Sequence, residues 1–268
     1  MAKQKVLCLR SNMPRVGTRK LYYLLKESFV KEGIPLGRDG LFDLLREEAL
    51  LIVKKRRYTK TTNSKHWMHK YPDLTKDITL CRPEQLWVAD ITYVALKDRF
   101  CYLHLITDAY SKKIMGYSLS KDLAATSTVK ALQEALAKRT SAKALMHHSD
   151  RGLQYCSALY TNILKSNDVA ISMTESGSPY DNAIAERVNG ILKDEYGLDE
   201  TFEDLQQLNK QVKQAINSYN QQRPHYSNHM LTPNQMHQQN NLRPKAWHKK
   251  TTRTFESSCG FLPSRTII

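Results

Sequence analysis

The chain predicts an α/β fold of the α+β kind, a mixed five-stranded sheet flanked by helices and preceded by a small helical domain. Three observations carry this. Apolar residues recur at helical spacing up to about residue 50, short apolar runs joined by polar links begin at residue 85, and strand-like and helical stretches alternate beyond residue 125. Taking the elements in order, Thr18 opens a stripe of Leu21, Leu24, Leu25 and Phe29, which Gly33-Ile34-Pro35-Leu36-Gly37 breaks. A second helix over residues 38–50 places Leu41, Leu44, Leu45 and Leu50 on one side. Two short helices across a glycine-containing turn fit a helix-turn-helix, a pattern that other helical hairpins share. Strands follow at 85–94, 100–107 and 113–119, and their short links at 97–99 and 108–112 make them an antiparallel meander. A helix at 125–139 turns Val129, Leu132 and Leu136 inward; then come a strand at 144–148, a helix at 157–166, a strand at 169–173, and helices at 179–196 and 202–221.

This order, βββαβαβαα, divides the chain into a helix-turn-helix-like segment at 1–54, a basic linker at 55–80, a mixed-sheet core at 81–235 and a basic extension at 236–268. A length of 268 residues suits about two domains, and 41% hydrophobic residues exclude a wholly disordered chain. No apolar run approaches the ~20 residues of a membrane helix, and the N-terminus carries no signal-peptide pattern. The five cysteines, Cys8, Cys81, Cys101, Cys156 and Cys259, are odd in number and lack C-x-x-C spacing, which argues against a disulfide framework. A soluble, cytoplasmic protein is the expectation.

Charge is uneven. Of the net +15, residues 1–80 hold +10, residues 221–268 hold +6 and the middle holds −1. The densest run contains Lys54, Lys55, Arg56, Arg57, Lys60 and Lys65 without an acid, interleaved with Tyr58, His66, Trp67, His69 and Tyr71. Counterion release makes polyanion binding the natural use of such arms, with a solvated linker as the plainer reading.

Three acids have a geometric reason to attract notice. Asp90 interrupts an apolar strand, where a charge is costly unless paired or bound to a cation. Asp150 follows a strand end in His147-His148-Ser149-Asp150-Arg151-Gly152, and Glu186 lies in a helix announced by Ser178-Pro179-x-Asp181. At 100° per residue, Asn182, Glu186, Asn189 and Lys193 share one line of that helix within about 60°, opposite Ile184, Val188 and Ile191. Converging carboxylates repel unless a cation compensates, and hard oxygen ligands suit Mg²⁺ or Mn²⁺. Two such ions ~4 Å apart serve phosphodiester chemistry. Three unrelated acids would show the same spacing.

The surrounding motifs resemble the DDE transposases of the "IS three" family of bacterial insertion sequences, in particular their OrfB part. Trp87-Val88-Ala89-Asp90-Ile91-Thr92-Tyr93 is similar to that family's first-Asp strand, His148-Ser149-Asp150-Arg151-Gly152-Leu153-Gln154-Tyr155 to its second signature, and Gly177 to Glu186 to its third, with 35 residues between Asp150 and Glu186. Lys193 falls at the family's basic position, Tyr219-Asn220-x-x-Arg223-Pro224-His225 with Thr232-Pro233 at its closing motif, and Pro14-Arg15-x-Gly17-x-Arg19-Lys20-Leu21 at its helix-turn-helix. The resemblance implies an RNase H-like core in which Asp90, Asp150 and Glu186 bind Mg²⁺ or Mn²⁺ as two ions and are catalytic. It implies direct attack of water or a DNA 3′-hydroxyl on a phosphodiester, and a Lys193 contact to DNA. Arg187, Arg151, His148, Arg19, Lys20, Lys54, Lys55, Arg56 and Arg57 are the further candidate DNA contacts. The implied partners are the element's terminal inverted repeats, target DNA, a second copy of the chain and an OrfA or OrfAB product, the last because no leucine-zipper heptads occur here. The implied place is the bacterial cytoplasm, in association with the nucleoid.

Among the remaining residues, Asp108 reads as the start of a hairpin turn, with support of the site as the other reading. Asp181 reads as a helix N-terminal acid. His148 reads equally as a strand-end packing residue. His66 and His69 lack a second ligand pair for zinc, and Cys156 reads as core. The rival to an active transposase is a non-catalytic DNA-binding or regulatory descendant.

Overall fold

The computed structural model describes residues 1–52, 67–76, 78–175 and 182–245. Three helices open the chain: α1 (Ala2–Arg10), α2 (Thr18–Lys31) and α3 (Arg38–Glu47). The expected pair thus gains a third member, α1, which buries only Val6 and so offered no apolar stripe to read. Gly33 takes φ +64° after α2, a left-handed cap that a β-carbon would strain, while Ile34 N–H returns to Phe29 O at 2.9 Å. α3 stops short of residue 50 because Ala49 turns left-handed and Leu50 N–H closes on Leu45 O at 2.7 Å.

The rest runs β1 (Leu86–Leu96), β2 (Phe100–Asp108), β3 (Ile114–Ser120), α4 (Ala125–Ala137), β4 (Leu145–Ser149), α5 (Leu153–Cys156), α6 (Ala158–Ser166), β5 (Val169–Met173), α7 (Ala183–Tyr196), β6 (Thr201–Phe202), α8 (Leu205–Gln221), a 3-10 turn (Tyr226–Asn228) and α9 (Pro233–His237). The sheet has the order β3-β2-β1-β4-β5, with β6 also on β1. β1, β2 and β3 form the antiparallel meander, while β4 and β5 run parallel to β1, as strands joined through crossover helices do. The five predicted strands are all present. The sixth, β6, corrects the last helix: Phe202 extends the sheet, and α8 begins after Asp204, whose side chain accepts Gln207 N–H at 2.8 Å. α5 was not anticipated, and the Ser178-Pro179-x-Asp181 start signal lies outside the described residues.

Alternation along β1 divides the core. Val94 and Leu96 join Leu103 and Leu105 against Val188, Ile191 and Leu192 of α7 and Leu208, Val212 and Ile216 of α8. Trp87 and Ala89 join Ile106 and Met115 against Leu132 and Ala135 of α4 and Tyr160 and Leu164 of α6. Each fully buried side chain of this kind contributes about 1.5–3 kcal/mol. Gly116 lets α4 lie on β3, since a β-carbon there would stand 2.7 Å from Ala135 N and closer still to Ala131 O. The N-terminal helices are docked: Val6, Leu21, Leu25, Phe29, Leu41 and Leu45 are continuous with the apolar cluster of α7 and α8. Arg15 meets Asp199 at 2.9 Å and Lys20 meets Glu195 at 2.9 Å. Among the described residues no helix is long and apolar enough to cross a membrane.

Candidate active site

Val88 of β1 stands opposite His148 of the parallel strand β4. Asp90 and Asp150 each follow two residues further in the same direction, just past the end of that pairing, where the charge of Asp150 is felt at Asp90. Asp90 Oδ1 accepts Ile91 N–H at 2.9 Å and its Oδ2 accepts Asn189 Nδ2–H at 2.7 Å. Asp150 Oδ1 accepts Gly152 N–H at 2.9 Å. Burial, then the charge of Asp150, then that of Glu186 push the Asp90 carboxyl up to about 7, against the two hydrogen bonds that favour its charged form. An acid so raised inside the central strand, next to a second carboxylate, is a functional-site candidate.

Glu186 lies in the first turn of α7 and is exposed, with its carboxyl raised by partial burial. The rest of the polar line of α7, Asn182, Asn189 and Lys193, faces β1 rather than open water. Asn182 Nδ2 donates to Ala89 O at 2.9 Å, Asn189 reaches Asp90, and Lys193 Nζ lies 4.3 Å from the centroid of the Tyr93 ring. Space for this contact exists because β4 pairs with β1 only over Leu86–Val88 and β6 only over Ala95–Leu96. Between those pairings the edge of β1 has no strand partner among the described residues.

The donor set is right for a hard divalent cation. The charge of Asp150 acts on Asp90, and Asn182 Oδ1 and Asn189 Oδ1 are buried without a hydrogen-bond partner among the described residues. The distances are not yet those of a closed site: among the described residues no three His, Cys, Asp or Glu side chains stand close enough to hold one ion. The aspartates are brought together, and Glu186 stands off at the first turn of α7.

The predicted DNA contacts divide. Arg19 and Arg187 are exposed. Arg151 lies beside Asp150 and donates to Glu175 O at 3.1 Å. Two are enclosed and paired within the protein. His148 is 1% exposed and shares a 2.8 Å hydrogen bond with Ser172 Oγ, so it packs at the strand end. Lys20 is held by Glu195, which also takes two hydrogen bonds from Arg223, at 2.7 and 2.8 Å. α3 is not the cationic helix a DNA reader would present: Arg38 pairs with Asp39 at 2.8 Å and Arg46 with Asp43 at 2.5 Å. Lys54, Lys55, Arg56, Arg57 and His66 lie outside the described residues.

Asp108 is a turn residue. Its carboxylate accepts Ser111 N–H and Glu84 N–H, both at 2.7 Å. Cys156 is core, against Met173. Asn189 and Tyr93 were not assigned roles from sequence; Asn189 carried a signal, since it lies three residues after Glu186 on the same helical line.

A mixed sheet with one aspartate inside its central strand and another just past the end of the parallel neighbour is the arrangement of an RNase H-like integrase core. Two family models described as "Integrase core domain" match residues 81–179 and 167–233. A chain of the simian T-cell lymphotropic virus intasome, solved in complex with PP2A regulatory subunit B56 gamma, shares the fold. Its TM-score is 0.51 at 18% identity, over 93% of this chain and 80% of that one. The chain is 37% identical to an insertion element IS600 31 kDa protein of Shigella sonnei, over 78% of this chain and 76% of that protein. It is 30% identical to transposase InsF for insertion sequence IS3A of Escherichia coli, over 81% and 76%. It is 35% identical to the IS629 transposase of Shigella sonnei, over 66% of this chain and 58% of that protein. The chain belongs to the "IS three" family of insertion-sequence DNA transposases with an integrase core.

Proposed function

We propose that Asp90, Asp150 and Glu186 form the catalytic set, binding two Mg²⁺ or Mn²⁺ ions for cleavage and strand transfer at the ends of an insertion sequence. The observation that carries this reading is the placement of Asp90 and Asp150 just past the pairing of β1 with β4, with the Asp90 carboxyl raised to about 7 by burial and by its acidic neighbours. Bound divalent cations supply charge that offsets this repulsion, activate an attacking oxygen and stabilise a leaving one. The chain's own residues do the rest. Asn189 and the Ile91 N–H orient Asp90, the Gly152 N–H orients Asp150, and Asn182 pins the start of α7 to Ala89. Glu186 completes the set when the first turn of α7 advances on β1. Lys193, Arg187, Arg151 and Arg19 meet DNA phosphates. The run at 54–57 adds salt-dependent affinity for terminal repeats and target.

Residues 1–54 work as an end-binding segment, 55–80 as a linker, 81–235 as the catalytic core and 236–268 as a basic extension. DNA ends are held by more than one copy, with an OrfA or OrfAB partner, at the nucleoid. The standing-off of Glu186 is what the rival reading, a non-catalytic DNA-binding descendant, would also produce, so the assay must separate the two. A duplex with a recessed 3′-hydroxyl end and a supercoiled plasmid target, with Mg²⁺ or Mn²⁺, is expected to give joined product from the wild type. None is expected with EDTA or from Glu186→Gln. Joining that survives Glu186→Gln removes Glu186 from the set. Silence that persists with the OrfA product present, alongside intact duplex binding, supports the rival.

A further inference from the structure

Lys193 does not leave α7 for open solvent. It is partly buried, its ammonium lies over the face of Tyr93, and the negative charges that act on it are Asp90, Asp199 and Asp194. The ring is itself held, because Phe100 of the neighbouring strand meets it edge-on with centroids 5.4 Å apart and planes at 79°. Tyr93 lies three residues beyond Asp90 on the stretch of β1 that neither β4 nor β6 covers. We propose that Tyr93 is a positioning residue: its ring face holds the Lys193 ammonium beside Asp90, so that the lysine meets a DNA phosphate from a fixed place.

The choice of an aromatic ring has a chemical reason. A carboxylate partner would neutralise the lysine and compete with phosphate for its N–H donors. A ring attracts the cation through its quadrupole and leaves all three ammonium donors free. Burial lowers the Lys193 pKa, and the ring face favours the charged form that phosphate needs. The phenolic hydroxyl has no part in this, so phenylalanine should replace Tyr93 and leucine should not.

The proposal rests on the reading of Lys193 as a DNA contact, and the test separates the two. Lysines of the full chain are reductively methylated with ¹³C-formaldehyde, and the Lys193 methyl resonance is assigned by its loss in Lys193→Met. Ring current should shift that resonance upfield in the wild type and in Tyr93→Phe, and leave it at the ordinary lysine position in Tyr93→Leu. An unshifted wild-type resonance overturns the proposal whether or not the protein joins DNA. Strand transfer on the recessed-end duplex is then compared in Tyr93→Phe, Tyr93→Leu, Lys193→Met and the Tyr93→Leu/Lys193→Met double variant. A cation–π contact in a partly desolvated place corresponds to roughly a tenfold effect. Tyr93→Leu should lose about that much joining with Tyr93→Phe unchanged, and the double variant should fall no lower than Lys193→Met. Losses that multiply would mean that Tyr93 acts independently of Lys193, and would overturn the proposal while leaving the lysine's DNA contact intact. Loss in Tyr93→Leu with full activity in Lys193→Met would place the failure in the reading of the lysine.

Discussion

Replacing Arg223 by methionine removes the cation from the most enclosed ion pair linking α7 to the closing motif. Arg223 is 2% exposed, and its guanidinium grips Glu195 with two hydrogen bonds, Nε to Oε2 at 2.8 Å and Nη2 to Oε1 at 2.7 Å. Lys20 from α2 is the second cation on the same carboxylate. The arginine takes most of the charge, because it is bidentate and more enclosed, whereas the Lys20 side chain is 21% exposed. Removing the arginine leaves Lys20 as the remaining cation on a mostly buried carboxylate, which puts the cost at the lower end for a broken buried pair, about 3 kcal/mol. At about 2–4 °C per kcal/mol for a chain of this size, the melting temperature should fall by roughly 10 °C in circular dichroism at pH 7. Adding Glu195→Gln removes the carboxylate but takes away the partner of Lys20, and should recover part of the loss. The acid limb gives an independent reading. Arg223 and Lys20 hold the Glu195 carboxyl down at about 2, below the ordinary 4.5, outweighing its burial. A carboxyl lowered on folding stabilises fully above its unfolded value, and that stability drains away as pH falls from 4.5 towards 2. Wild type should therefore lose stability steeply in that window and Arg223→Met/Glu195→Gln should not. A loss below about 1 kcal/mol in Arg223→Met, or a double variant weaker than either single, would refute the reasoning.

The aspartate pair predicts the opposite slope. Asp90 is raised from 3.8 to about 7, so stability is fully present below 3.8 and declines as pH rises through 7. Asp90→Asn should melt a few degrees higher than wild type at pH 8, match it at pH 4 and lose the stabilisation that Mg²⁺ gives the wild type. Equal melting curves at pH 8, with equal response to Mg²⁺, would sink the pairing of Asp90 with Asp150. Gly116→Ala drives a β-carbon into the backbone of α4 at Ala131 and Ala135, where no flexible side chain can yield, and should cost about 3 kcal/mol in urea unfolding. A cost under 1 kcal/mol would mean that α4 can shift on β3.

Much of this was legible in the sequence because period and punctuation agree with the tertiary fold. The three meander strands and the crossover helices follow from apolar runs and their polar links, whereas the grouping of Asp90 with Asp150 comes from the family resemblance and not from spacing. What was missed has physical causes. β6 is two residues long and owes its existence to pairing with β1, which no local pattern encodes. α1 hides because one buried residue makes no stripe. Lys20 and His148 were read as DNA contacts from their types and motifs; their burial depends on Glu195 and Ser172, which are distant in sequence.

The polar line of α7 shows why periodicity alone could not place the site. An amphipathic helix normally turns its polar side to water, and Asn182, Asn189 and Lys193 form such a side. Here β1 outruns β4 and is met by β6 only at its far end, which leaves a stretch of strand edge that some element must satisfy. α7 covers it with amides and an ammonium instead of a strand, because Ala89 O and the Asp90 carboxylate need donors. The apolar side of the same helix, Val188, Ile191 and Leu192, meanwhile packs against β1, β2 and α8. Apart from the exposed Glu186, both sides of α7 are therefore committed within the protein, one to the core and one to the edge of β1. A strand in that gap would have paired the backbone and closed the site. A helix pairs it through side chains, which can exchange their partners for a cation or a phosphate without undoing the sheet.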